Sequence, residues 1–385
     1  MSGATTPSQL PSDASAPHVL FTILDWGMGH ATRTWPLIVA ARNAGARVTV
    51  ASRGTAGAWL DARMMDWDKR NGDGSAPVWQ RVEKPGVTIR YAKGRSTLLR
   101  IGLQIPRFMA SFRTERQWID RFVHQHGVTH VFSDNCYGCH AKTSGARSAF
   151  MTHQFQPPVP RLVSPLAKVL VHRLSLAFDE VWIPDLPNHA FAGSLSVSTH
   201  PNTHYVGPLS RFQVLGPHGE GAVHGAARPL LGMVSGPEPQ RSDMEAALRR
   251  CFLKDGRPAL IFSGNPGKTE EQDANVLVVH DPDDHRFLEA VMGAECIICR
   301  SGYTTLMDLA VLGKAAVLVP TSGQPEQERL AQRWNRDLGW TTLESMEIAD
   351  FRPEVATGRF PSVDISDPAQ RMREWLGIPP LSTET

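Results

Sequence analysis

A histidine behind a short glycine loop is the first residue in the chain whose type and position could do chemistry. His30 directly follows Gly27–Gly29, and that loop follows an apolar run over 18–24. A strand, a glycine loop and a helix in this order place His30 beside a helix N-terminus. Because imidazole titrates near neutral pH, His30 is a candidate general base. The alternative is a purely structural turn, since the loop lacks the third glycine of a dinucleotide-binding fingerprint.

Two loops in the second half of the chain suit a phosphate group. Ser235 and Gly236 follow one apolar run, with Arg241 shortly after, and Gly264-Asn265 follows the next run. Glycine allows the backbone to approach a phosphate closely, and arginine offers two parallel donors. A proline-rich turn with a solvated arginine is the alternative for the first loop.

The most informative segment runs from Arg300 to Asp308. A predicted strand ends at Arg300 and a turn leads into a helix, with Thr304 and Thr305 as cap candidates, so an anion site is expected at the helix N-terminus. Asp308, one turn further on, could accept ribose hydroxyls. A later loop adds hydrogen-bonding groups typical of sugar sites. Together these groups predict recognition of a phosphorylated sugar, with Gly29, Ser235, Gly236, Arg241, Gly264, Asn265, Arg300, Ser301, Gly302, Tyr303, Thr304, Asp308, Gln324, Glu326 and Gln327 as the candidate binding residues.

These residues need a fold that gathers strand ends at one edge. Short apolar strands alternate with helical stretches, which predicts α/β structure with parallel sheets. The strands are expected at 18–24, 48–52, 87–91, 128–133, 149–152, 180–183, 230–234, 259–263, 276–279, 296–299 and 315–320. The predicted organisation is a disordered leader (1–17), a first Rossmann-like domain (18–212), a linker (213–229), a second Rossmann-like domain (230–365), and a C-terminal helix and tail (366–385) that packs back on the first domain. The two doubly wound domains would face each other across a cleft.

Several motifs resemble one family. The segment from Cys299 to Ala331 is similar to the donor-binding region of GT-B glycosyltransferases related to the peptidoglycan N-acetylglucosaminyltransferase, with its family 28-like C-terminal domain. The chain also resembles a group of predicted bacterial glycosyltransferases. It shares their WGxGHATR start, SDNxYG loop (133–138), THQ turn (152–154), VGPLSRF hinge (206–212) and SGPEPQR loop (235–241).

The resemblance implies roles for several residues. In such families the nucleotide diphosphate sugar binds the second domain and the acceptor binds the first, without a metal or other cofactor. Asp308 would hold the ribose and Gln327 the donor sugar. The parent enzyme has Glu at the position of Asp308 and a second Gln at that of Glu328. Acceptor-side candidates come from the motifs and from a basic segment: Asp134, Asn135, His153, Arg95 and Arg107.

Cysteine and histidine clusters suggest other sites. Cys136-Tyr-Gly-Cys139-His140 fits the pattern for covalent haem attachment, but no export signal precedes it. A zinc site shared with Cys296 and Cys299 is disfavoured, because residues three apart in a strand point to opposite faces. The histidines and aspartates of 280–285 precede a predicted helix, so an N-cap at Asp283 or Asp284 is the better interpretation.

Composition limits the function classes. The 385 residues are 41% hydrophobic and 20% charged, as in ordinary globular proteins. The net charge of +2 divides into 22 Lys+Arg against 13 Asp+Glu over 1–200 and 18 against 25 over 201–385. Basic and apolar residues alternate over 81–121 and again over 165–178, which favours an anionic or lipid-linked acceptor and peripheral contact with an anionic membrane. A core helix with a solvated basic face is the alternative. No nucleic-acid partner is expected.

The sequence therefore predicts a glycosyltransferase that moves a sugar, UDP-linked hexose or N-acetylhexosamine, to an unidentified hydroxyl acceptor with inversion and without a metal. His30 is the predicted base. A nucleotide-sugar hydrolase or 2-epimerase of the same fold is one alternative, and a non-catalytic donor-binding subunit is another. With no signal peptide and no apolar run of about 18 residues, the expected location is the cytoplasm, with peripheral contact at the inner face of the membrane.

Overall fold

The computed structural model describes residues 16–71, 79–86, 97–159, 163–215, 228–264, 269–361 and 367–379, with the backbone alone over 97–108. Two sheets of mainly parallel strands are flanked by helices, which confirms the predicted α/β class. Most of the predicted leader and linker lies outside the described residues. In the described part of the chain, no helix is both long and apolar enough to span a bilayer.

Seven strands pair in parallel to form the first sheet. They are β1 (His18–Ile23), β2 (Arg47–Ala51), β3 (Trp79–Val82), β4 (His130–Asp134), β5 (Arg147–Met151), β6 (Glu180–Ile183) and β7 (Thr203–Tyr205). The helices between them are α1 (Met28–Asn43), α2 (Gly54–Asn71), α3 (Thr97–His126) and α4 (Ser164–Ser175). The order β3-β2-β1-β4-β5-β6-β7 reverses between β1 and β4. In open α/β sheets, ligands bind in the crevice at such a reversal.

The second sheet has six strands in the order β10-β11-β9-β8-β12-β13. They are β8 (Leu230–Met233), β9 (Ala259–Phe262), β10 (Glu271–Asp273), β11 (Val276–Val279), β12 (Cys296–Cys299) and β13 (Val317–Leu318). Only the β10–β11 pair is antiparallel among the described pairings. The helices are α5 (Gln240–Asp255), α6 (Asp284–Gly293), α7 (Tyr303–Leu312) and α8 (Pro325–Leu338). The order reverses between β8 and β12, which places the loops after these two strands at the crevice.

The last helix, α9 (Pro368–Trp375), packs on the first sheet's layer, against α1. Trp375 is fully buried, with its ring 5.9 Å from that of Trp182 and 5.7 Å from that of Phe132. Arg147 Nη1 donates to the carbonyl oxygen of Trp375 at 3.0 Å. The end of the described chain is thus anchored on the layer where the chain begins.

Some sequence expectations about elements are wrong. Thr304 and Thr305 do not cap α7, because Gly302 is the N-cap residue and no side chain caps this helix. Residues 325–338 form α8 where a loop was expected. Pro325 occupies the first turn, where the missing N–H of proline costs nothing, so it begins the helix instead of breaking it. The predicted N-cap at Asp283 is confirmed by its bond from the backbone N–H of Arg286. The predicted strand at 87–91 lies outside the described residues.

Candidate active site

The N-termini of α1 and α7 meet between the reversal points of the two sheets. Thr304 Oγ1 donates to the carbonyl oxygen of Gly29 at 3.2 Å. A Cβ atom on residue 29 would lie 2.8 Å from Thr304 Oγ1, so a larger residue here would displace the Thr304 hydroxyl and break this contact. Two helix N-termini, each with partial positive charge, therefore converge at one point.

His30 and Asp134 form a hydrogen-bonded pair at this point. His30 lies in the first turn of α1, and Asp134 is the last residue of β4. The distance from His30 Nδ1 to Asp134 Oδ1 is 3.0 Å. Arg33 Nη2 lies 2.9 Å from the same nitrogen. An ionised carboxylate only accepts hydrogen bonds and a guanidinium only donates them, so a proton on Nδ1 satisfies Asp134 and a bare Nδ1 satisfies Arg33. With the proton on Nδ1, the other ring nitrogen, Nε2, can accept a hydrogen bond from a hydroxyl group. The His30 side chain is 15% exposed, and the Asp134 side chain is fully buried.

Arg33 and Thr34 hold Asp134 in place. Arg33 donates to both carboxylate oxygens, with Nε 2.9 Å from Oδ2, and Thr34 Oγ1 donates to Oδ2 at 2.8 Å. Burial alone would raise the pKa of Asp134, but the charges of Arg33 and His30 hold it well below its usual range. Asp134 is thus a fixed anion that orients His30.

His153, in the turn after β5, contacts the second half of the chain. Its Nε2 lies 2.7 Å from Glu326 Oε1, and its ring stacks on that of Tyr303 with centroids 4.1 Å apart. Gln154 Nε2 donates to the other oxygen of Glu326. Burial lowers the pKa of His153, against the opposing influence of Glu326.

On the donor side, the first turn of α7 follows Ser301 and Gly302. No side chain caps this helix, so its first backbone N–H groups have no partner from a capping side chain. Ser301 Oγ donates to the carbonyl oxygen of Gln327 at 2.9 Å, which ties this turn to α8. Tyr303 is buried and its hydroxyl donates to the carbonyl oxygen of Pro184.

The loops after β8 and β9 lie along the same sheet edge. Gly236 has φ +105°, a conformation that favours glycine, and Gly264 has φ +56°. Arg241 already has partners: Nη1 donates to the carbonyl oxygen of Ser263 at 3.1 Å, and Nη2 donates to Glu238. Ser235 is an exposed member of the β8 loop, and Asn265 lies outside the described residues.

Arg300 is buried, and its guanidinium group donates to three backbone carbonyl oxygens. It is 2% exposed, and its Nη1 donates to the carbonyl oxygens of Val319 and Pro320 at 3.2 and 3.3 Å. Its Nη2 donates to the carbonyl oxygen of Gln240 at 2.8 Å. Burial lowers its pKa to about 10. Contact with a diphosphate, as predicted, would require Arg300 to release some of these carbonyls.

Asp308 is engaged inside the protein. It is 7% exposed and accepts a hydrogen bond from Ser210 Oγ at 2.6 Å, while Arg211 Nε lies 3.9 Å away. Burial raises its pKa to about 6, against the opposing effect of Arg211. Its role in holding ribose stays a prediction, one that requires Ser210 to give way.

The remaining predicted residues are two glutamines near the start of α8 and three candidates on the acceptor side. Gln324 and Gln327 bond to each other, and Gln327 Oε1 also accepts from the backbone N–H of Thr321 at 2.9 Å. Asn135, beside Asp134, has φ 55°, and its N–H donates to the carbonyl oxygen of Met151. Arg95 lies outside the described residues, and of Arg107 only the backbone is described.

Sequence reasoning missed the role of Arg33, Thr34 and Gln154. The signal for Arg33 was present, because residues three apart on a helix share a face and Arg33 is three residues after His30. Gln154 stands in the quoted THQ turn, but its partner Glu326 is 172 residues away in the chain. No local pattern could have joined them.

Cys136 and Cys139 lie beside the first sheet, whereas Cys296 and Cys299 lie in the second, so the four cysteines do not form one zinc site. Cys296 and Cys299 lie in separate hydrophobic clusters on opposite faces of β12, as expected. Cys136, Cys139 and Glu115 have ligand atoms within 4.8 Å of one another. Lys84 Nζ lies 2.9 Å from Glu115 Oε1, so an ammonium group already neutralises that carboxylate.

Comparison with known proteins identifies the fold. Residues 263–346 match the family model described as the glycosyltransferase family 28 C-terminal domain. The whole chain is similar to the solved glycosyltransferase of kitacinnamycin (TM-score 0.58, 13% identity, 94% of this chain and 95% of that one). It is similarly close to Arabidopsis thaliana UGT89C1 complexed with UDP-L-rhamnose (TM-score 0.58, 13% identity, 94% of each chain). The chain has the GT-B fold.

A curated relative connects this GT-B chain to one family. This relative is a Haemophilus influenzae UDP-N-acetylglucosamine–N-acetylmuramyl-(pentapeptide) pyrophosphoryl-undecaprenol N-acetylglucosamine transferase. The two chains are 36% identical over 171 residues, which cover 38% of this chain and 48% of the relative. The chain thus matches about half the length of that relative. The predicted resemblance to GT-B glycosyltransferases with a family 28 C-terminal domain is confirmed.

Proposed function

We propose that this GT-B chain is a glycosyltransferase that moves a sugar from a nucleotide diphosphate sugar, UDP-linked, to a hydroxyl group of an acceptor. The observation that carries the proposal is the His30–Asp134 pair, placed where α1 meets the N-terminus of α7. The family 28 C-terminal domain over 263–346 supports a nucleotide-sugar donor. The relative's name, which includes a lipid-linked acceptor, supports an acceptor of that class.

His30 would act as the general base. Its Nε2 would accept the proton of the acceptor hydroxyl while the hydroxyl oxygen attacks the anomeric carbon. The bond from that carbon to the nucleotide diphosphate breaks on the opposite face, so the anomeric configuration inverts. Asp134 would keep Nδ1 protonated, with Nδ1 donating to the carboxylate instead of accepting from Arg33, and would stabilise the imidazolium that forms.

The leaving diphosphate would be stabilised mainly by backbone N–H groups. The first turns of α1 and α7 have no side-chain caps, and Gly236 allows the β8 loop to approach closely. We propose that these groups serve in place of a metal ion. Turnover is then expected to be the same in EDTA as in added Mg²⁺.

The test replaces His30 by Ala. Turnover is expected to fall at least about a hundredfold, which is the usual size of a general-base contribution. Donor affinity, measured by calorimetry across a panel of nucleotide sugars, should change less than about twofold, since the leaving-group contacts remain. His124→Ala removes an exposed histidine of α3 and should leave both quantities unchanged.

The same assays separate the alternatives. Near-normal turnover of His30→Ala would contradict the base assignment. Release of free sugar without any acceptor would identify a hydrolase. Tight donor binding with no turnover on any lipid-phosphate or soluble acceptor would identify a donor-binding subunit.

We also propose that α4 contacts the inner face of an anionic cell membrane. Five of the eleven exposed large apolar side chains in the described part of the chain fall within 163–176: Val163, Leu166, Val169, Leu170 and Leu176. Exposed Lys168 and Arg173 lie among them. Apolar and basic groups on one short helix match the interface of an anionic bilayer. In the predicted basic segment over 81–121, by contrast, Arg81, Lys84 and Arg116 pair with acidic residues.

A further inference from the structure

A chain of hydrogen bonds leads from α8 to the candidate base. Glu326, in the first turn of α8, accepts from His153 Nε2 at 2.7 Å. His153 Nδ1 lies 2.6 Å from Arg33 Nη1. Arg33 in turn holds Asp134, which lies 3.0 Å from His30 Nδ1, and Arg33 Nη2 itself lies 2.9 Å from that nitrogen. Four of these five residues come from the first sheet's layers, and Glu326 alone comes from the second.

The donors and acceptors in this chain fix the state of His153. A guanidinium group only donates, so His153 Nδ1 must accept from Arg33. The ring proton therefore sits on Nε2, where it faces a carboxylate oxygen of Glu326. This neutral tautomer satisfies both neighbours at once. It also agrees with burial, which lowers the pKa of His153.

His153 depends on the second sheet's elements for its orientation. Glu326 holds one edge of the ring, and Tyr303 covers one face in a stack tilted by only 9°. Both residues belong to the N-terminal turns of helices, α8 and α7, that flank the donor side of the cleft. If the two halves separated, His153 would lose both contacts, and its ring would no longer be held in the orientation in which Nδ1 accepts from Arg33.

We propose that His153 and Glu326 are positioning residues that make the orientation of His30 depend on contact between the two halves. This inference rests on the proposed function, because it assigns a purpose to the His30 base. Arg33 is the link, since one guanidinium bonds both His153 and Asp134. The base would be fully aligned only while the halves are in contact, which limits proton removal in an open cleft.

The first experiment uses substitutions at Glu326, which is only half-buried. Glu326→Ala removes the acceptor, and kcat is expected to fall about ten- to hundredfold, as for a slightly misplaced catalytic group. The donor KM should stay within about twofold. Glu326→Gln keeps an oxygen for the His153 N–H and should retain kcat within about threefold. Asp337→Asn removes a carboxylate at the far end of α8 and should change neither quantity.

A double substitution tests whether Glu326 acts through His153. In the His153→Ala background, Glu326→Ala should lower kcat by less than a further twofold, because the link is already broken. Multiplicative losses would overturn the proposal. So would a raised donor KM with unchanged kcat, which is the signature of a direct donor ligand.

A readout without turnover completes the test. Hydrogen–deuterium exchange should speed up in Glu326→Ala over 28–34 and 133–136, because the hydrogen bonds of Glu326 reach these segments through His153. Unchanged exchange in both segments would overturn the proposal even if the protein proved non-catalytic. If His30→Ala keeps its turnover while exchange speeds up in Glu326→Ala, the assignment of His30 as the base fails. The link from Glu326 through His153 to Arg33 would then still stand.

Discussion

At the scale of single residues, the charge of Asp308 is set by its burial. Its pKa is raised to about 6 from 3.8, mainly by burial, with Asp284 adding to the rise and Arg211 and Ser210 opposing it. A carboxyl group whose pKa is raised on folding stabilises the fold below pH 3.8 and loses that contribution as pH rises through about 6. Ionised Asp308 therefore costs stability at neutral pH.

Asp308→Asn is expected to remove this cost and to keep an oxygen for the Ser210 hydroxyl. The free energy of unfolding of the variant, relative to the wild type, should rise by about 2–3 kcal/mol between pH 4 and pH 8. Urea titrations of both proteins at several pH values measure this difference. A difference that stays constant with pH would show that Asp308 does not titrate in this range.

Single residues were predictable where the signal was local and unpredictable where it was tertiary. His30 could be selected because its glycine loop lies beside it in the sequence. Asp134 was expected on the acceptor side, yet its contact with His30 spans 104 residues and depends on β1 and β4 being neighbours. Arg300 was expected to face phosphate; in the structure its buried guanidinium donates to carbonyl groups, so that role stays a prediction.

At the scale of elements, strands were easier to predict than helix starts. The predicted bounds of β6, β11 and β12 agree with the observed ones. Strands that are buried on both faces are nearly continuous in apolar residues, so their ends are visible in the sequence. The start of α8 was missed because Gln324–Gln327 is polar and contains proline. The consequence was functional as well, since Glu326 projects from a helix turn towards His153 and not from a free loop.

The α4 helix gives a prediction at the same scale. Leu166 and Leu170 are one helical turn apart and are 73% and 39% exposed. Replacing both by Ser should weaken binding to vesicles that contain phosphatidylglycerol by at least about tenfold, because burying one leucine is worth about 1.5–3 kcal/mol. Vesicle co-sedimentation measures it. Met65→Ser, at a 61% exposed site on α2, is the matched control and should bind normally. Equal binding by the double variant and the control would remove α4 from the proposal.

At the scale of the whole molecule, opposite charges in the two halves predict different responses to salt. Residues 201–385 carry 18 basic against 25 acidic groups, so we predict that donor affinity comes from helix N-termini and one or two arginines and not from a general positive field. Raising NaCl from about 50 mM to about 500 mM should weaken donor binding by at most about threefold, since short-range N–H contacts are little screened. The same change should weaken binding to anionic vesicles at least about tenfold, because each surface cation contributes about 1 kcal/mol to that attraction.

Calorimetry measures the salt dependence of donor binding, and vesicle co-sedimentation over the same salt series measures that of membrane binding. A steep salt dependence of donor binding with a flat one for vesicles would mean that the roles of the halves are reversed.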